Sequence, residues 1–120
     1  MEQHTLVIGA SLNPTRYSNI AIKRLTDRGI KTSAIGLRKG SVVGVNIEPE
    51  KLPFKEIDTV TLYLNPTRQK EYYQYIISLK PRRVIFNPGT ENSEFYKVLK
   101  ENEIKSEVAC TLVLLSTNQY

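Results

Sequence analysis

The run GASLNPTRYS, residues 9–18, is where this sequence is best equipped to hold a ligand. A glycine closing an apolar stretch lets the backbone turn tightly and come close to a bound group. A helix beginning just beyond it offers free N–H groups and the positive end of its dipole, a combination that suits phosphate. Gly9, Ala10 and Ser11 form the turn, and Asn13, Arg16 and Ser18 follow in the same run. Ser11 can donate to a phosphate or cap the backbone, and Arg16 can pair with a phosphate or stay solvated. Gly9 also serves as a plain turn glycine, since the full G-x-G-x-x-G pattern is absent.

Three further loops carry candidates. GLRKGS sets Leu37, Arg38 and Lys39 between two glycines. Dinucleotide-binding domains often carry an acid here for a ribose hydroxyl, and bases in its place suit a ribose bearing a phosphate; a solvated basic turn is the other reading. In LNPTR, Asn65, Pro66 and Arg68 either wall a slot for an adenine ring or start a helix, with Asn65 as N-cap and Pro66 at the first helical position. Asn87, Pro88 and Gly89 in FNPGTENS carry the same ambiguity, a ligand wall or a turn.

Chemistry has few candidates. Cys110, the only cysteine, precedes a short terminal helix, where a thiolate is favoured and could exchange with a ligand thiol, although a lone cysteine also serves as a small buried hydrophobe. With one cysteine and one histidine, His4, neither a disulfide nor a metal cluster is expected, and no catalytic residue is assigned.

These loops need a scaffold that gathers them, and the periodicity supplies one. Short branched runs predict strands at Thr5–Ile8, Lys31–Leu37, Asp58–Leu64, Arg83–Phe86 and Ile104–Ala109. Helical spacing predicts helices over Ser18–Arg28, Thr67–Leu79, Ser93–Asn102 and Thr111–Ser116, while Ser41–Ile47 reads as a short extension or hairpin. Strands alternating with helices predict an α/β, Rossmann-like three-layer fold on a mainly parallel five-stranded sheet. In such a sheet the ligand sits outside the carboxyl ends of the strands, where all four loops should meet.

A chain of 120 residues fits one domain, and 40% hydrophobic residues argue against disorder. No export signal or membrane span is read, so the expected location is cytoplasmic. The net charge of +5 favours a negatively charged partner. Nucleic acid is disfavoured, because Tyr72, Tyr73 and Tyr75 fall on a helix and not on an open sheet face; packing or a subunit contact, hence a homodimer, explains them better.

The run LVIGASLNPTRYSNIAIKRL, the turn GLRKG followed by VVGVNI, the YLNP turn and the terminal ACTLVLL together resemble the small stand-alone CoA-binding domain proteins. These are similar to the N-terminal nucleotide-binding domain of the succinyl-CoA synthetase α subunit. The resemblance implies coenzyme A as ligand, with the pyrophosphate near Gly9, Ala10 and Ser11, the 3′-phosphate near Lys39 and adenine near Asn65 and Pro66. Synthetase activity is not expected, because that reaction needs a phosphorylated histidine on a later domain. The expectation is a CoA- or acyl-CoA-binding module, non-catalytic, with a carrier or regulatory role; the alternative is an NADP- or acyl-CoA-dependent enzyme.

Overall fold

Branched apolar residues in an unbroken run leave no polar face to turn toward water, so the segment around Val7 must be covered on both sides. In a computed structural model, which describes residues 3–120, this segment is the central strand β1 (Thr5–Ala10), with Leu6, Val7 and Ile8 fully buried. Around it stand β2 (Thr32–Gly36), β3 (Gly40–Val42), β4 (Val45–Glu48), β5 (Thr59–Leu62), β6 (Arg83–Phe86) and β7 (Lys105–Val108). They form one sheet in the order β3-β4-β2-β1-β5-β6-β7, parallel throughout except for β3 against β4.

The sheet therefore has seven strands, not the five expected. The difference lies in residues 40–48, where the chain forms a hairpin whose second strand, β4, joins β2 in parallel. Its turn residues Val43 and Gly44 have φ of +44° and +85°, the left-handed pair that a two-residue hairpin turn requires. Val-Gly stands where such a turn usually carries Asn-Gly, which is why the sequence announces the hairpin weakly.

The helices are α1 (Tyr17–Asp27), α2 (Pro66–Gln69), α3 (Tyr73–Leu79), α4 (Ser93–Glu101) and α5 (Thr111–Ser116). The expected helix over Thr67–Leu79 is thus broken, because a tighter 3-10 turn at Lys70–Tyr72 separates α2 from α3. Asn65 caps α2 by accepting the Arg68 N–H at 3.0 Å, and Asn92 caps α4 by accepting the Phe95 N–H at 3.1 Å.

Alternation along the strands builds the layers. Leu6, Ile8, Leu62 and Phe86 face Ile76, Phe95 and Leu99 of α3 and α4. Val7, Ala10 and Ala34 face Ile22, Leu25 and Leu115 of α1 and α5. The tyrosines belong to the first of these layers: Tyr72 is buried, Tyr73 stacks on Phe95 with centroids 4.2 Å apart, and the Tyr75 hydroxyl donates to the Leu52 carbonyl. Among the described residues no helix is long and apolar enough to cross a membrane.

The chain leaves β1 for α1 on one face and leaves β5 for α2 and α3 on the other. The carboxyl ends of β1 and β5, neighbours in the sheet, therefore send their loops apart and open a crevice between them.

Candidate nucleotide site

Gly9 is the pivot of that crevice. Its φ is +95°, and a Cβ there would stand 3.0 Å from the backbone carbon of Tyr63 and 3.2 Å from Leu64 Cδ2. The ladder between β1 and β2 shifts register between Ile8 and Ala10, and this bulge swings the chain out of the sheet. Gly36 ends β2 alongside, where a Cβ would meet the Ala10 carbonyl oxygen at 2.3 Å. β1 can end this close to β5 on one side and to β2 on the other only because neither Gly9 nor Gly36 carries a side chain.

Beyond the bulge, the loop is tied down by its own polar groups. Ser11 Oγ accepts the Asn13 N–H at 3.1 Å, leaving the hydroxyl hydrogen able to point elsewhere. Asn13 Oδ1 accepts from the N–H and the hydroxyl of Thr15. From α1, buried Asn19 donates to the Ser11 carbonyl at 2.9 Å, while its own Oδ1 is buried without a partner. Arg16 occupies the N-cap of α1 and makes no side-chain cap bond; the Asn19 N–H donates to the Arg16 carbonyl at 3.1 Å, and no side-chain cap meets the Tyr17 and Ser18 N–H groups.

The result is a cleft of 460 Å³. Its floor and near wall come from Gly9, Ala10, Ser11, Arg16 and Ser18, and its far wall from Arg68 and Pro88. Leu37 and Arg38 close one side. Three arginines, Arg16 at the N-cap of α1, Arg38 on the loop after β2 and Arg68 in α2, thus line it from three separate segments. No aspartate or glutamate lines it among the described residues, so the local field is positive. Guanidinium forks suit phosphate oxygens, which they can grip through two parallel N–H bonds.

Tyr63 also lines the cleft. Burial, only partly offset by the nearby Thr111 and Thr61 hydroxyls, pushes its phenol up to about 12. Those two hydroxyls bond to each other at 2.8 Å, and the Tyr63 hydroxyl itself makes no bond of good geometry. It stays protonated at neutral pH and is no base.

Matched over residues 3–116, the family described as CoA binding domain accounts for nearly the whole chain. The chain belongs to this CoA-binding domain family. The domain is 45% identical to an uncharacterized protein of known crystal structure, covering 100% of this chain and 99% of that one at a TM-score of 0.96. A hypothetical protein from Pyrococcus horikoshii OT3 shares the fold at 24% identity and TM-score 0.86, over 98% of this chain and 84% of that one. A dinucleotide-forming acetyl-coenzyme A synthetase from Ca. Korarchaeum cryptofilum contains the same fold at 14% identity and TM-score 0.72, over 91% of this chain but 26% of its own. No curated protein gives a significant match.

Not every residue singled out in the sequence of this CoA-binding domain reaches the cleft. Both bases of that loop are exposed, and of the two Arg38 lines the cleft whereas Lys39 does not. Asn65 is engaged as the cap of α2, with Pro66 in its first turn. Asn87 is buried and works as a clasp: it donates to Thr61 Oγ1 and the Leu62 carbonyl and accepts the Thr111 N–H at 2.9 Å. Gly89, at φ +91°, forms a turn with Glu91 accepting its N–H. Cys110 is half-buried at the N-cap of α5, outside the lining, and Asn13 holds its loop.

Other lining residues were not foreseen. Leu64, Tyr72 and Thr90 look like core or turn residues in the sequence, and Leu12 lies inside the polar run. Leu12 and Tyr17, beside the expected Leu37, are 42% and 73% exposed, and Leu37 73%. Large apolar side chains on otherwise polar loops are the one signal that could have revealed them.

Proposed function

We propose that the cleft binds coenzyme A or an acyl-CoA and that the chain acts as a non-catalytic nucleotide-binding module with a carrier or regulatory role in the cytoplasm. The observation that carries this reading is the convergence of Arg16, Arg38 and Arg68 on the turn at Gly9 and the N-terminus of α1, in a chain of the CoA-binding domain family. The pyrophosphate lies against the backbone of Ala10 and Ser11 and the first turn of α1, with Arg16 beside it. Arg38 takes the 3′-phosphate, with Lys39 as a more distant charge. Adenine lies against Arg68 and Pro88, near the Asn65–Pro66 turn, and the pantetheine arm runs past the apolar mouth.

Turnover of an acyl-CoA or of NADP would call for a base or nucleophile at the ligand. The lining carries the hydroxyls of Ser11 and Ser18 but no Asp, Glu, His, Lys or Cys beside them. Calorimetry with CoA tests the reading. Arg38→Glu should weaken binding roughly tenfold to a hundredfold, the loss of a charge-assisted hydrogen bond plus added repulsion. Lys39→Glu should weaken it less. Steady turnover of an acyl-CoA by the purified chain would overturn the non-catalytic role.

A further inference from the structure

We infer that the chain forms a symmetric dimer by pairing β7 antiparallel with β7 of a second copy, about a twofold axis at Ser106. This inference is independent of the ligand, since β7 is the outermost strand on its side of the sheet, away from the cleft. Three features of the strand point to it.

The first is backbone direction. The Lys105 N–H donates to the Arg82 carbonyl and the Ala109 N–H to the Phe86 carbonyl, so the odd-numbered amides face β6. By alternation, the N–H and C=O of Ser106 and Val108 face outward, as does the C=O of Ile104. The Ile104 N–H is taken by the Leu99 carbonyl. Two copies centred on Ser106 can exchange a pair of bonds between their Ser106 residues, and each Val108 N–H can donate to the other copy's Ile104 carbonyl.

The second is charge. Lys105 and Glu107 share one face of β7 and lie 3.8 Å apart, with the Lys105 side chain 65% exposed. An axis at Ser106 puts each Lys105 directly opposite the other copy's Glu107. Moving the axis by one residue sets Lys105 against Lys105 or Glu107 against Glu107. Like charges directly opposite are unfavourable, and opposite charges are favourable. An edge lysine ordinarily discourages pairing; here the alternation of sign permits one register.

The third is a shallow groove beside the strand, lined by Tyr96, Ile104, Ser106 and Val108 together with the charged Lys100, Glu103 and Lys105, in which Val108 is 59% exposed. In the same register Val108 of one copy lies across from Ile104 of the other, so the apolar edge of the groove is covered by its own counterpart.

Light scattering of the full chain across a concentration series tests the inference. The expected mass is twice 13.7 kDa. Lys105→Glu, which sets Glu against Glu on both sides of the axis, should raise the dissociation constant about tenfold or more. Ser106→Pro removes an outward N–H without touching the β6 ladder and should give monomers. Thermal melts showing that each variant keeps its fold accompany both readings. A wild-type chain that is monomeric at every concentration overturns the proposal, as does a dimer that survives both substitutions.

Discussion

Arg38 illustrates how much one residue's placement decides. Of the two bases in GLRKG it lines the cleft and Lys39 does not, so the larger effect on CoA affinity is expected at Arg38. Sequence shows that bases occupy the turn, but not which one lines the cleft, because that depends on the backbone path into the β3–β4 hairpin. The same limit explains Asn87 and Asn65: an amide beside a proline reads alike whether it faces a ligand or clasps its own chain. Val43 offers a separate test, since a β-branched residue at φ +44° is strained. Val43→Asn should raise unfolding free energy by about 1 kcal/mol, read by chemical denaturation. Asp58 supplies a pH test. Burial alone would raise its carboxyl, but the hydrogen bonds from Arg82 and Thr59 and the charges of Arg82 and Arg83 win, holding it below its ordinary 3.8. A lowered folded value means stability that is present above pH 3.8 and is lost as pH falls through that lowered value. Because Arg82 is half-exposed, Asp58→Asn should cost only about 1 kcal/mol at neutral pH, and the gap from wild type should close in acid.

At the scale of elements, the crevice depends on two strand ends that approach without side chains between them. Gly36→Ala would place a methyl 2.3 Å from the Ala10 carbonyl oxygen, forcing β1 and β2 apart at the bulge. A loss of about 1–3 kcal/mol in unfolding free energy is expected, together with weaker CoA binding, because the phosphate turn moves with β1. Calorimetry and denaturation on the same variant check both. Two segments were legible to the residue: Arg83–Phe86 is the strand β6 as expected, and Thr111–Ser116 is the helix α5. The hairpin was half-legible, because its strands are three and four residues long and its turn carries valine. The break between α2 and α3 had no sequence signal, since no glycine or proline stands at Lys70–Tyr72.

Across the whole molecule, the two ends of the sheet do different work. The carboxyl end is opened by glycines and arginines, whereas the amino end is closed by a dense polar clasp. There buried Arg83 donates to Thr59 at 3.0 Å and to Glu107 at 3.2 Å, and Tyr120 lies over its guanidinium with Thr5 bonded to the tyrosine hydroxyl. Arg28 fastens α1 to the Leu115 carbonyl at the end of α5. The fold class was legible because strand–helix alternation dictates it; the clasp was not, because it joins residues up to 115 positions apart. The proposed selection of a nucleotide with a phosphorylated ribose by the open end is read by calorimetry with CoA beside its 3′-dephospho form. Saturable CoA binding is expected, weaker for the dephospho form in the wild type, with that preference erased by Arg38→Glu. Absence of CoA binding at millimolar ligand, or equal affinity for the two forms, would contradict it.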